Sequence, residues 1–258
     1  MLLDRLGQVL FEVVEGTTLD KGSIAIAYSG GLDSSLLATI CKLKNIDVTL
    51  LTIGFPHSHD IWFSKQVASK LNLDHRISVL EENDFHRNLR EVLKKVNCEK
   101  ISHIENCIAF FYISKLAQEL NLETVLSANG CDELFCGYDI YRRMFDEGRT
   151  RLMQLIEEKI LNEFQLLEEI DLVASEFGVK ICHPFLSNRL IAFSRDIPID
   201  EKIFNSKDYL RKQILRKVAC LVNVPGESAF KKKKALQYGT EIHRRVSKYL
   251  KQYQYIIF

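Results

Sequence analysis

Apolar residues recur in two alternating spacings along the first half of the chain. Short apolar runs predict β-strands at 23–28, 47–53, 75–80 and 123–128. Between and after these runs, apolar residues three or four positions apart predict helices, at 36–43, 60–71, 85–96 and 104–116. Strands that alternate with helices predict an α/β fold with a parallel, doubly wound sheet, whose ligand chemistry lies at the carboxyl ends of the strands.

The pattern changes near residue 140, after which no strand is predicted. Helical spacing continues over 150–177, 188–195, 207–222 and 240–251. We therefore expect one domain over 1–258, with an α/β core over 1–140. A mainly helical portion over 141–258 is expected to cover the active edge of the sheet.

The composition is that of an ordinary globular protein, with 258 residues, 47% hydrophobic and 27% charged. No apolar run approaches the roughly 20 residues of a membrane span. The N-terminus, MLLDRLGQVLFEVVEG, has acids within its apolar stretch, which predicts an amphipathic helix rather than a signal peptide. Seven cysteines without a CxxC pair indicate reduced thiols, and we expect a cytoplasmic protein.

Charge is distributed unevenly although the whole chain carries a formal net charge of only +1. Residues 201–258 carry a net charge of +10, which leaves −9 for residues 1–200. This asymmetry predicts that the C-terminal part faces something anionic. Polyphosphate, nucleic acid and the acidic part of the same chain are the candidates.

The segment SGGLDSS (29–35) joins the first predicted strand directly to a helix. Glycines allow a tight turn and close approach of the backbone to an anion, and the amides at the helix N-terminus point towards it. Serine hydroxyls add donors, while Asp33 adds a carboxylate for a divalent cation. No Gly-Lys dipeptide or G-x-G-x-x-G motif is present, which excludes a P-loop and a dinucleotide fingerprint. The alternative is a serine-glycine turn that only caps the helix.

A second polar segment, SANGCDELFCGY (127–138), follows the fourth predicted strand. Its adjacent acids, Asp132 and Glu133, are suited to bind Mg²⁺ opposite a polyphosphate. Alone, such a pair is also typical of the first turn of a helix, where acids interact with the helix dipole.

SGGLDSS resembles the pyrophosphate-binding motif of the ATP pyrophosphatase (PP-loop) superfamily. SANGCDELFCGY resembles the GEGADELFGGY block in the synthetase domain of asparagine synthetases, which β-lactam synthetases share in modified form. Weaker similarity over 177–198 and 212–242 extends the resemblance across most of the chain. It implies a PP-loop fold of adenine nucleotide alpha hydrolase type and a synthetase domain without a glutaminase domain.

The resemblance also implies that ATP and Mg²⁺ are the cofactors. Asp33 and Asp132 are expected to hold Mg²⁺, and Glu133 to support that shell. Lys233, or else Lys234, is expected to stabilise the negatively charged transition state. Nucleotide contacts are implied for Ser29, Gly30, Gly31, Leu32, Asp33, Ser34, Ser35, Ile53, Gly54 and Ser127.

The implied reaction is an AMP- and pyrophosphate-forming ligation. A small carboxylate, for which aspartate is one candidate, attacks the α-phosphorus of ATP, and ammonia or another amine then takes the acyl group. Nitrogen would come from a separate amidotransferase subunit or from free ammonia. No membrane partner is expected, and a homodimer is one candidate assembly.

Several positions depart from the family pattern. Asn129 stands where asparagine synthetases have a functional glutamate, and Lys180 and Cys182 stand where they have an acid and an arginine. Because of these departures, the sequence does not identify the acceptor carboxylate. Two alternative functions are also kept: an RNA-modifying PP-loop enzyme, and a nucleotide-binding partner or regulator without catalysis. Cys131 and Cys136, with Cys182, raise a further alternative of sulfur or redox chemistry near the nucleotide.

Overall fold

Five short parallel strands form the central sheet of the structure, a computed structural model that describes residues 1–97, 100–232 and 235–253. The strands are β1 (Ile24–Ala27), β2 (Val48–Gly54), β3 (Asp74–Val79), β4 (Thr124–Leu126) and β5 (Lys180–Cys182). Their order is β3-β2-β1-β4-β5, and every neighbouring pair is parallel. This order confirms the predicted parallel, doubly wound sheet.

Helices cover the sheet and make up most of the remaining described chain. The α-helices, in chain order, are α1 (Leu2–Thr18), α2 (Leu32–Leu43), α3 (His59–Leu71), α4 (Glu82–Lys95), α5 (Ile101–Glu119), α6 (Cys131–Leu134), α7 (Asp139–Arg143), α8 (Arg149–Ser175), α9 (Asn188–Arg195), α10 (Ile199–Lys202), α11 (Gln213–Leu221), α12 (Gly226–Ala229), α13 (Leu236–Gly239) and α14 (Ile242–Tyr253). Two short 3-10 helices lie at Phe145–Glu147 and Pro184–Leu186. Within the described ranges, no helix has both the length and the apolar character needed to cross a membrane.

Strands β1 and β2 are buried on both faces, which explains why the sequence shows continuous apolar runs there. Ile24, Ile26 and Leu50 are almost fully inaccessible to solvent. Burial on both sides requires helices above and below the sheet. The core therefore extends on both sides of these strands and fixes the positions of their carboxyl ends.

The prediction that strands end before residue 140 is wrong, because β5 pairs with β4 at the edge of the sheet. This strand has only three residues, too few for hydrophobic periodicity to reveal. The amide of Lys180 donates to the carbonyl of Glu123, and the carbonyl of Cys182 accepts from Ser127. The predicted helical portion thus contributes a strand to the α/β core, while the division near residue 140 stays a prediction.

The helix predicted over 207–222 begins later than expected, at Gln213. The Asp208 carboxylate accepts backbone hydrogen bonds from Leu210 and Arg211, which holds a turn instead of a helix. Arg211 and Lys212 then have positive φ angles of 57° and 53°. Two consecutive left-handed residues cannot continue a right-handed helix, so the helix starts only after them.

The sheet order brings the two polar motifs of the sequence together. From β1 the chain winds outward through β2 to β3, then returns to the other side of β1 as β4. The strand order therefore reverses between β1 and β4, and in such sheets ligands bind beside the carboxyl ends at this point. SGGLDSS follows β1 and SANGCDELFCGY follows β4, so both lie there.

Candidate active site

The loop after β1 is a tight turn that leads into the N-terminus of α2. Gly30 has a φ of +73°, and a Cβ there would lie 3.0 Å from the Phe63 ring and 3.1 Å from the Cα of Ser64. Glycine is therefore required for both the conformation and the space. The carbonyl of Gly30 accepts a 2.6 Å hydrogen bond from the Ser228 hydroxyl, which anchors the turn to α12. The result is a fixed loop with helix amides at its end, suited to hold an anion.

A buried lysine joins the two acids that were predicted to bind Mg²⁺. The Nζ of Lys212 lies 2.5 Å from Oδ2 of Asp33 and 2.7 Å from Oδ1 of Asp132. Lys212 is only 2% exposed. Asp33 comes from the first turn of α2 and Asp132 from α6, so the lysine connects the two motifs. Lys212 is not among the site residues predicted from the sequence.

The two acids fit a magnesium ion. Oδ1 of Asp33 is buried and has no hydrogen-bond partner among the described residues, so it is a carboxylate oxygen available to a cation. In the described part of the chain, no group of three or more histidine, cysteine or acidic side chains forms a metal cluster. Two carboxylates match the habit of Mg²⁺, which takes one or two protein acids and fills its shell with water and phosphate oxygens.

Gly137 provides the space in which Asp132 and Lys212 meet. A Cβ at this position would overlap Oδ1 of Asp132 and Cε of Lys212, and would lie 2.8 Å from the Cα of Asp132. We expect Gly137→Ala to destabilise the protein by about 1–3 kcal/mol, because the ion pair must move apart. Urea denaturation would measure the change. In the control, Gly16→Ala in α1, the new Cβ has no neighbour within 4 Å and stability should be equal or higher. Equal effects of the two substitutions would contradict this role of Gly137.

Glu133 is buried beside these acids, but its environment differs from theirs. Its carboxylate accepts a hydrogen bond from the hydroxyl of Tyr138, and its main-chain carbonyl accepts one from Tyr141 at 3.3 Å. Burial raises the pKa of Glu133 well above its usual range, and the charges of Glu163 and Asp132 add to the shift. The surroundings favour its neutral form, and its predicted catalytic role stays a prediction.

A cavity of about 360 Å³ opens beside the acids, at the carboxyl ends of β1 and β4. Seven of the predicted site residues line it: Ser29, Asp33, Ser34, Ile53, Ser127, Asp132 and Glu133. Helices α5 and α8 supply the opposite wall, with residues that include His103, Lys159 and Glu163. Its volume and mixed polar and apolar lining are typical of a small-molecule site.

A smaller cavity of about 50 Å³ also borders the Asp33 loop, and it shares Ser29, Asp33 and Ser34 with the larger cavity. Gly31 and Leu32 line it, opposite a basic wall formed by Lys212, Arg216, Lys231 and Lys232. These four cations belong to the basic C-terminal part of the sequence, so part of that charge faces the predicted phosphate loop.

Three further predicted site residues that the structure describes, Gly30, Ser35 and Gly54, line neither of these two cavities. The Gly30 carbonyl accepts a hydrogen bond from the Ser228 hydroxyl, and the Ser35 hydroxyl donates one to it. Gly54 is the last residue of β2. Lys233 and Lys234, the predicted catalytic lysines, lie outside the described residues.

Comparison with known proteins identifies the family. The family model described as asparagine synthase matches residues 5–153 and 144–255. This chain belongs to the asparagine synthase family. The predicted resemblance is confirmed, and with it the predicted fold class.

Two curated proteins named as asparagine synthetases align with this chain over part of their own length. The putative asparagine synthetase [glutamine-hydrolyzing] 1 of Methanocaldococcus jannaschii is 29% identical, over 91% of this chain and 48% of that protein. Asparagine synthetase B [glutamine-hydrolyzing] of Escherichia coli is 22% identical, over 92% of this chain and 45% of that protein. The chain thus spans about half the length of these curated relatives. Among solved structures, an NMN synthetase from Francisella tularensis matches with a TM-score of 0.49 and 12% identity, covering 98% of this chain and 94% of that chain.

Asn129, a departure from the asparagine synthetase pattern, is paired with a buried acid in the structure. Its Nδ2 donates a 2.5 Å hydrogen bond to Oε1 of Glu163, which lies on α8 and is 8% exposed. Its side-chain carbonyl accepts from the Ser127 hydroxyl, which also lies 3.2 Å from Nδ1 of His183. This member of the asparagine synthase family therefore has a carboxylate within hydrogen-bond distance of the position where the glutamate is missing.

Glu163 was not predicted as a site residue, although its position in the sequence carries a signal. Within the helix predicted over 150–177, the apolar Phe164 is 39% exposed, whereas the neighbouring Glu163 is buried. Glu163 falls in the spacing of Ile156, Ile160 and Leu167, all of which are buried. An acid within the buried stripe of a helix indicates a functional or paired carboxylate.

The two cysteines of the second motif in this asparagine synthase family member are poor candidates for sulfur chemistry. Cys131 and Cys136 are fully buried, and burial raises the pKa of Cys136 to about 12 and that of Cys131 well above its usual value. Since the thiolate is the reactive form, both should be inert near neutral pH.

We expect iodoacetamide at pH 7.5 to alkylate the exposed Cys220 while Cys131 and Cys136 stay unmodified. Mass spectrometry of the peptides would measure this, with protein unfolded in guanidinium as the control in which all three react. Alkylation of Cys131 or Cys136 in the native protein at the rate of Cys220 would restore the sulfur hypothesis.

Proposed function

We propose that this chain is an ATP-dependent ligase domain of asparagine-synthetase type. It would activate a small carboxylate as an acyl-adenylate, release pyrophosphate, and transfer the acyl group to ammonia or another amine. The observation that carries the proposal is the meeting of Asp33 and Asp132 at Lys212, on one wall of a cavity bounded by the SGGLDSS loop. Family membership supports the same reaction class.

We assign binding of the ATP phosphates to the loop after β1. The amides of Gly31 and Leu32 and the hydroxyls of Ser29 and Ser34 would bind the phosphates. Asp33 and Asp132 would hold Mg²⁺, which, when bound, neutralises charge on the phosphate oxygens. The smaller cavity, whose basic wall lies next to residues of this loop, would hold the departing pyrophosphate.

We assign binding of the acceptor carboxylate to the cavity wall formed by α5 and α8. Lys100 and Lys159 line the cavity there, and Nζ of Lys159 lies 5.7 Å from the centroid of the Tyr138 ring. Nζ of Lys100 donates a 2.7 Å hydrogen bond to Asn162. Two cations in this wall favour an anionic acceptor, which supports a carboxylate substrate and leaves aspartate as the first compound to test.

Proton transfer to the protein is assigned to Glu163. An amine that attacks an acyl-adenylate must lose a proton, and a carboxylate within reach can accept it. Glu163 lines the cavity and is held by Asn129. An amide at position 129 cannot take the proton itself, so the neighbouring carboxylate is the group suited to this step.

The nitrogen source is proposed from the names of the relatives. These are glutamine-hydrolyzing enzymes, and the chain covers about half of their length. We therefore propose that this domain uses ammonia, supplied either free or by a glutaminase domain or subunit. With the 258-residue chain alone, ammonium chloride should support product formation and glutamine should not.

The experiment that tests the proposal is ATP–pyrophosphate exchange with Mg²⁺, first with aspartate and then with a panel of small carboxylates. Exchange that depends on an added acid supports adenylation and names the acceptor class. Formation of ADP instead of AMP would overturn it. Binding of ATP without exchange for any acid would favour the non-catalytic partner, and exchange that requires RNA would favour RNA modification.

A further inference from the structure

The buried position of Lys212 raises the question of what its ammonium does when no ligand is present. Both of its carboxylate partners are within 2.7 Å, and almost none of the side chain is exposed. An ammonium group taken out of water is stable only with such partners. In the structure it stands between the two carboxylates, in the region where a bridging cation would bind.

The main chain around Lys212 is built to hold this position. Lys212 has the left-handed conformation described above, and α11 starts immediately after it. Arg216, 4% exposed, donates hydrogen bonds to the carbonyls of Leu210 and Arg211 on one side, and of Ala229 and Lys231 on the other. One guanidinium thus fixes the two C-terminal segments that contribute Lys212 and Lys231 to the smaller cavity. Lys212 is therefore held in place by the surrounding main chain and by Arg216, unlike a lysine side chain that moves freely at the surface.

The charges predict an order of binding. Two carboxylates and one ammonium leave a net charge of −1 between the motifs, and a divalent cation entering alone would meet the positive charge of Lys212 at close range. A triphosphate changes this balance, because its oxygens accept hydrogen bonds from the ammonium and supply negative charge to the metal. Both cations can then be held together.

We propose that Lys212 is a resident counter-ion that excludes free divalent metal from Asp33 and Asp132. When the metal arrives with a nucleotide, the Lys212 ammonium leaves the two carboxylates and pairs with phosphate oxygens instead. This inference rests on the proposed function and specifies how its metal site is controlled. Lys212 acts both as a positioning residue for the two acids and as a phosphate ligand in the complex. Metal binding is therefore dependent on nucleotide.

The test uses Mn²⁺ as the probe, with free Mn²⁺ followed by electron paramagnetic resonance. The nucleotide is α,β-methylene-ATP, in which the bond to be broken is blocked. We expect the unaltered chain to bind Mn²⁺ only with the analogue present. Lys212→Met should bind Mn²⁺ alone at least about tenfold more tightly than the unaltered chain, because the competing charge is removed. It should also bind the analogue more weakly.

Two further variants separate the role of Lys212 from general effects. Lys202→Met removes another lysine that is 2% exposed but has no contact with the two acids, and it should leave metal binding unchanged. Lys212→Arg keeps the charge and should still exclude Mn²⁺ when the analogue is absent.

Binding of Mn²⁺ to the unaltered chain as tightly without the analogue as with it would overturn the proposal, even if Lys212→Met does not fold. Equal affinities of the unaltered chain and Lys212→Met for Mn²⁺ alone would also overturn it. If the unaltered chain binds no analogue under any condition, the proposed function itself fails, and this inference fails with it.

Discussion

Replacing Asp33 by asparagine is expected to lower the rate of ATP–pyrophosphate exchange roughly a thousandfold. The amide keeps the size of the side chain but removes the negative charge that would hold a cation at the buried Oδ1. Asp132 would then be the single acid left for Mg²⁺. Lys212 retains Asp132 at 2.7 Å, so the ammonium is not left without a partner and the fold should survive.

The matched control for this substitution is Asp47→Asn. Asp47 is exposed and precedes β2, at the opposite edge of the sheet from the candidate site. Exchange in this variant should equal that of the unaltered chain. If Asp33→Asn remains folded by urea denaturation and keeps exchange within about tenfold, the assignment of Asp33 to the metal is wrong.

The second large effect is expected for Glu163→Gln, which should slow formation of the final product by about 10²–10³-fold. Exchange should continue, because adenylation needs no proton acceptor at Glu163 and the phosphate loop is unchanged. Glutamine still offers a carbonyl oxygen to Asn129, so the hydrogen bond seen in the structure can persist. The measurement compares the rate of exchange with the rate of product formation from ammonium chloride.

Two variants make this prediction specific. Glu168→Gln removes an exposed acid on the same helix and should have no effect on either rate. Combining Asn129→Glu with Glu163→Gln moves the carboxylate across the hydrogen bond to the position where asparagine synthetases have it, and should restore part of the lost rate. A parallel loss of exchange and product in Glu163→Gln would instead indicate that Glu163 supports the structure of the site.

The sequence pattern was sufficient to predict those parts of the site that lie at the carboxyl ends of strands. Asp33 and Asp132 each follow a predicted strand, and parallel strands end at the same edge, so their proximity was predictable. The SGGLDSS turn was predictable for the same reason, since its glycines and serines serve the backbone locally.

Residues brought in from distant loops were not predictable in this way. Lys212 lies 179 positions from Asp33, and its position depends on two left-handed residues and on Arg216, which no periodicity reveals. β5 was missed because three residues are too short for a pattern. Glu163 is an intermediate case. Its position within an apolar helical stripe could be recognised in the sequence, but its hydrogen bond with Asn129 could not.

The long separation between Asp33 and Lys212 has a consequence for synthesis of the protein on the ribosome. β1 and its loop emerge early, yet β4 gains its outer neighbour only once residue 182 has been added, and the two acids gain their ammonium only at residue 212. Contacts of such separation require closure of a long loop and form late. In a nascent chain that stops short of Lys212, Asp33 and Asp132 do not yet have the ammonium that pairs with both of them. The nucleotide site is therefore among the last parts of the molecule to be completed.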